Sequence, residues 1–149
     1  MFITGSSAID AERAFSRAAR GRRRAALARR LRRVPGDDGR LCVYGEQRLA
    51  RRGARGALGV RDIPIDAISG TLEPSRAALF DRCFRPAAGA RTRWERVWLA
   101  EHHGEVLPPI SVIQVGDSYA VRDGHHRVSV AKARGALSID AAVDAVDLF

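Results

Sequence analysis

One junction restricts the fold of this chain more than any other: a strand pattern that becomes a helix pattern through a single glycine. Val121 to Gly135 reads V-R-D-G-H-H-R-V-S-V-A-K-A-R-G. Ser118 to Val121 is strand-like, Asp123-Gly124 breaks it, and from His125 onward Val128, Ala131 and Arg134 are spaced along one helical face. Gly124 supplies the positive φ that such a turn needs, Asp123 is placed to cap the helix, and Gly135 marks its end. A helix opened in this way leaves its first N–H groups without backbone partners and gathers partial positive charge, which suits a phosphate or carboxylate. Arg127 adds a permanent cation with a bidentate fork in the first turn. The competing reading of the same residues is a capped helix with two solvated histidines, His125 and His126.

The surrounding residues supply a body for this junction. Ile110–Val115 and Ser118–Val121 are joined by Gly116-Asp117, a two-residue hairpin turn. Ile139, Ala141, Val143 and Ala145 alternate with Asp140 and Asp144, predicting a last, half-exposed strand. Upstream, Ile63–Ile68 alternates at period two and predicts the first strand of the body, with Pro64 suited to an edge or a strand start. Glu73-Pro74-Ser75 predicts a helix capped by Ser75 and stopped before Pro86; within it F-D-R-C-F-R-P sets Arg82 and Arg85 beside an aromatic pair. A loop at Ala87–Thr92 leads to a helix in which Trp94, Val97, Trp98 and Glu101 keep helical spacing. Both tryptophans belong in a core, since a small body needs their buried area. His102 and His103 end that helix before Gly104. Neighbouring residues on a helix point in different directions, which weakens both His-His pairs as chelators.

Charge divides the chain. The sequence has 149 residues and a net charge of +9. Residues 1–60 hold 15 arginines against 5 acids, whereas residues 61–149 hold 11 basic against 12 acidic groups. The excess charge therefore lies in the first 60 residues. Ser7 and Asp10 resemble a capping box at the head of a helix running to about Arg33, followed by a turn at Pro35–Gly39. Eight arginines crowd positions 20–33: Arg20, Arg22, Arg23, Arg24, Arg29, Arg30, Arg32 and Arg33. Two readings stand side by side: a solvated helix docked through Leu27, Leu31 and Val34, or an arm for nucleic acid or another polyanion. No aromatic residue is interleaved with these arginines, so contact would be to backbone phosphate and not to bases. Leu41–Tyr44 predicts a short strand and Glu46–Arg52 a short helix; Gly53, Gly56 and Gly59 then read as a flexible joint. A boundary near Leu58 separates a basic helical arm, 1–58, from a body, 59–149.

Cys42 and Cys83 lie far apart, without disulfide or zinc spacing, which suits a reducing cytoplasm. No run of about 18 apolar residues predicts a membrane span, and the arm lacks the aromatic and leucine face of an interfacial helix. Arginine in place of lysine and a heavy alanine load point to a high-GC, bacterial genome.

The stretch L-P-P-I-S-V-I-Q-V-G-D-S-Y-A-V-R-D-G-H-H-R-V-S-V-A-K-A-R-G, Leu107–Gly135, resembles the core of the ParB N-terminal domain and sulfiredoxin superfamily. Such domains carry P-I-x-V, a hairpin and a G-x-x-R turn that opens a helix and holds nucleotide phosphates. The resemblance reaches from the Ile63 strand to about Val146 and implies an α+β fold: a small mixed sheet with helices on one side, preceded here by the basic arm. It implies a nucleotide such as ATP, ADP or CTP, with or without Mg2+, at Gly124, His125, His126 and Arg127. Arg76, in Pro74-Ser75-Arg76, takes the place of a further arginine near the nucleotide. His125 stands where sulfiredoxin has its cysteine nucleophile in G-C-H-R, and where ParB has glutamate in G-E-R-R. Cysteine-based sulfinic acid reduction is therefore not expected, and the ParB helix-turn-helix is missing from this sequence.

Two functions follow as expectations. The first is a nucleotide- or phosphate-binding domain, with NTP hydrolysis or phosphoryl transfer open to it and with His125 and Asp123 as the groups available for acid-base work. The second is a non-catalytic, DNA-associated partitioning or regulatory protein that uses the arginines of its arm.

Overall fold

The computed structural model describes residues 6–33, 35–36, 38–45 and 55–146. Its architecture is α+β, with three α-helices and six strands among the described residues. In chain order these are α1 (Ser6–Arg32), β1 (Cys42–Val43), β2 (Arg55–Pro64), β3 (Ile68–Thr71), α2 (Arg91–His102), β4 (Ile110–Val115), β5 (Ser118–Asp123), α3 (His125–Ala133) and β6 (Ser138–Val146). The strands form one mixed sheet in the order β1-β3-β5-β4-β6-β2. The β4-β5 hairpin and the β2-β6 pair are antiparallel; β1-β3, β3-β5 and β4-β6 are parallel.

The helices share one face of this sheet. Neighbouring residues of a strand point to opposite faces, and the burial follows suit. Val112 and Val121 join Ile110, Trp94 and Val128 in the main core, while the adjacent Ile113 and Ala120 form a second, small cluster with Leu72, covered by Tyr44 and Val115. α2 packs between α1 and α3. Trp94 is fully buried, meets the Phe15 ring edge-on at 5.5 Å, and donates its indole N–H to Ser129 Oγ at 2.8 Å. That bond ties α2 to α3; an indole N–H buried without a partner would cost about 1–3 kcal/mol.

α1 docks differently from the expectation. Its buried residues are Ala11, Ala14, Phe15 and Ala19, whereas Leu27 is 58% and Leu31 76% exposed. Alanines allow two helices to approach closely and one phenylalanine fills the space beneath, so the first half of the helix is anchored. Val34 lies outside the described residues, as do Glu46–Arg52 and Gly53.

Gly56 and Gly59 belong to β2 and not to a joint. Gly59 adopts φ +81° where the register against β6 shifts, so the glycine accommodates a bulge. The boundary expected near Leu58 thus falls inside a strand. β2 ends at Pro64, and the expected strand at Ile63–Ile68 is divided by a short 3-10 turn, Ile65–Ala67, before β3. A second 3-10 turn, Pro74–Ala78, replaces the expected helix, with Pro74 in its first turn and Glu73, not Ser75, at its cap position. Five residues are too few for an α-helix before Phe80 turns inward to bridge with Pro86. Residues 88–90 form one further 3-10 turn leading into α2.

Candidate functional site

The strand, glycine and helix meet as the sequence predicts, with one change at the cap. Asp123 is the last residue of β5, and Gly124 itself takes the N-cap position, at φ 111° and ψ 22° in the left-handed region. No side chain caps the helix; its first backbone bond runs from Val128 N–H to the Gly124 carbonyl. The N–H groups before Val128 precede that first bond. A Cβ on Gly124 would lie 2.5 Å from Ile110 Cγ2 and 3.1 Å from an Arg127 Nη, so both strain and space demand glycine here.

A cavity of about 250 Å³ opens over this turn. Gly124, His125, His126 and Arg127 line it from the helix start, Asp123 from the strand end, Arg76 from the 3-10 turn at 74–78, and Arg93 from α2. Three guanidinium groups from three elements thus face one rim carboxylate. Sequence reasoning did not single out Arg93. Its signal was the i, i+4 pairing with Val97, which lines the same cavity.

Both histidines are buried, at 3% and 7% exposure, rather than solvated. His125 Nε2 is 2.6 Å from Thr71 Oγ1, and Thr71 is itself fully buried, its oxygen accepting the Glu73 N–H at 2.9 Å. Phe80 packs under the pair, parallel to His125 at 6.4 Å and edge-on to His126 at 5.1 Å. Burial above all, then the Arg76 charge and His126, lowers the pKa of His125 to about 4, while Asp123 pulls weakly the other way. His126 is lowered to about 4 as well, by burial and then by Arg93 and Arg76. At neutral pH both rings are uncharged, able to donate one N–H each but holding no proton for general acid catalysis. Thr71 was the other residue missed; a lone threonine at the end of I-S-G-T gives no sequence signal.

Arg127 is partly engaged already. One Nη donates to the Pro108 carbonyl and the other lies 3.7 Å from the Asp123 carboxylate, with the arginine side chain only 15% exposed. The guanidinium thereby ties the turn to the loop before β4. Asp123 stands out in solvent, its side chain 84% exposed. On the far side of Arg127 a second hollow of about 270 Å³ is lined by Glu101, Glu105 and Asp140. Anions are favoured on one side of Arg127 and disfavoured on the other. Among the described residues, no group of three or more His, Cys, Asp and Glu side chains is arranged to hold a metal ion.

The arginines expected to face a polyanion occupy the second half of α1. Arg20, Arg23, Arg24, Arg30, Arg32 and the following Arg33 are exposed, while Arg22 and Arg29 are half-buried. None of them reaches the cavity at Gly124. No helix among the described residues is long and apolar enough to cross a membrane.

No family model matches the sequence, and no curated protein matches it. Among solved structures, the chain is similar to the crystal structure of sulfiredoxin from Arabidopsis thaliana, with 17% sequence identity and a TM-score of 0.42 over 56% of this chain and 82% of that one.

Proposed function

We propose that the protein binds a small phosphate-bearing ligand, with nucleotides as the first candidates, at the Gly124 turn. The observation that supports this is the convergence of Arg76, Arg93 and Arg127 on an uncapped helix start that only glycine can form. At about 250 Å³ the cavity is below the roughly 300–1,000 Å³ of pockets that enclose a whole drug-sized ligand. It suits a phosphate or diphosphate group, with the remainder of the ligand lying outside. Chemistry at the turn would fall to Asp123 at the rim, because His125 is neutral and bonded to Thr71.

Calorimetry with ATP, ADP, CTP, GTP and inorganic phosphate, with and without magnesium, tests this on wild type and Arg93→Gln. A charge-assisted hydrogen bond contributes about 1.5–3 kcal/mol, so the variant should bind roughly ten- to a hundredfold more weakly. Equal affinities would remove Arg93, and with it the convergence of three arginines, from the site.

A second reading, association with nucleic acid, is favoured by the exposed arginines of α1. Because Phe15 is part of the core, it should be tested by substitution and not by deletion of the arm. Replacing Arg23, Arg24, Arg30 and Arg32 by glutamine should flatten the salt dependence of duplex DNA binding by about 0.9 for each phosphate that is no longer neutralised. An unchanged slope would exclude the arm.

A further inference from the structure

A hollow larger than either one beside Arg127 lies away from the glycine turn. It has a volume of about 710 Å³ and sits between α1, the turn at residues 83–86 and the C-terminal end of α3. α3 has nine residues, so at about 1.5 Å per residue its two ends are roughly 13 Å apart. The wall from α1 is made of Ala14, Ala18 and Gly21, spaced four and three residues apart along one face. Larger side chains there would fill the space. Four cations line the hollow, Arg17 from α1 itself and Arg85, Lys132 and Arg134 from the elements facing it, and no carboxylate of the described residues does.

These cations are not equivalent. Arg85 pairs with the buried Asp81 at 2.9 Å and reaches the Gly21 carbonyl, and Arg134 lies 3.7 Å from Glu101. Arg17 and Lys132 have no ion-pair partner among the described residues. Two of the cations also sit beside rings: Lys132 is 5.9 Å from the Phe84 centroid, and Arg134 5.4 Å from that of Trp98. Charge of one sign, two mostly buried aromatic side chains in the lining, Phe84 and Trp98, and a volume within the usual range for enclosed ligands coincide.

We infer that this cleft is a second binding site, independent of the Gly124 turn, for a small molecule that carries two or more negative charges and a flat ring. Its two unpaired cations hold the charges, and the small residues of α1 leave room for the ring. A rod-like polyanion fits the convex second half of α1 better than this concavity.

Cys83 lines the cleft and is an exposed free thiol; Cys42, also exposed, lies on β1 outside it. Alkylation by iodoacetamide therefore reports occupancy, with Cys42 as the internal control. ATP serves as the ringed polyanion, adenosine as the ring without charge, pyrophosphate as charge without the ring, and a short DNA duplex as the polyanion. ATP at ten times its dissociation constant should slow Cys83 labelling roughly tenfold by mass action and leave Cys42 unaffected. Adenosine and pyrophosphate should protect far less. The Arg17→Gln, Lys132→Gln double variant should lose the protection while melting like wild type. Arg127→Ala, which removes a cation from the turn, should keep it, so failure of one site is distinguishable from failure of the other. Cys83 labelled at one rate with and without ATP would overturn the inference. So would protection that survives in the double variant, or protection by the duplex alone.

Discussion

The two ends of α3 solve the problem of holding charge in opposite ways. At the N-terminal end the site is small and over-determined: a glycine no other residue can replace, two imidazoles forced neutral, and an arginine tied to Pro108 and Asp123. At the C-terminal end the space is nearly three times larger and two cations have no ion-pair partner among the described residues. Strain and burial fix the geometry of the first site. The second is open because α1 withholds side chains, and its cations can follow a ligand. Local sequence writes the first kind of site; packing between distant segments makes the second.

The sharpest way to break this contrast is Gly124→Val. The valine would sit at a φ that costs a β-branched residue about 1–3 kcal/mol, with its Cβ driven into Ile110. Chemical denaturation should show a loss of several kcal/mol, and calorimetry should find no phosphate binding at the turn. Retained stability would mean that the rim is soft.

Arg127→Ala comes next. It removes a partner of the Pro108 carbonyl as well as a cation, so affinity at the turn should fall roughly ten- to a hundredfold and stability by about 1 kcal/mol. A change in stability with no change in affinity would reduce Arg127 to a strut.

Acid should act on the N-terminal end first. His125 and His126 have folded pKa values of about 4 against an ordinary 6.5, so the unfolded chain binds protons more readily between those values. Stability is then full above about pH 6.5 and declines as pH falls toward 4. Melting temperatures measured from pH 8 to 4 should show that limb, and His125→Gln should make it shallower. A flat profile would mean that the imidazoles are reached by water.

The smallest effect belongs to the cleft wall. Gly21→Ala gains up to about 1 kcal/mol of helix propensity, offset by a Cβ placed 3.3 Å from Arg85 Cδ. A net change within about 1 kcal/mol of zero, read by denaturant titration, would show that Arg85 can yield; a larger loss would make the wall rigid.

Legibility in the sequence tracks the range of the interaction. The β4-β5 hairpin, Gly124, α3 and the burial of both tryptophans were readable because periodicity and turn chemistry are local. β2 was not, because glycines at 56 and 59 read as a joint until pairing with β6 supplies the hydrogen bonds that hold them extended. The docking of α1 was misplaced because leucines attract attention and alanines do not, although here the alanines are buried. Of the residues around the turn, Gly124 to Arg127 could be read directly and Arg76 through its Pro-Ser-Arg context. Arg93 and Thr71 come from elements more than 30 and more than 50 positions away and are brought in only by the fold.

The bulge in β2 bears on how copies of this chain avoid one another. β2 ends the sheet, so among the described residues its outer edge has no strand beside it. A long, flat edge invites a second sheet to add itself on, and proteins discourage this with kinks, charges and proline. β2 carries all three: the irregularity at Gly59, exposed Arg61 and Asp62, and the terminal Pro64. The glycine that read as a hinge in the sequence is, in the folded chain, part of a guard against aggregation.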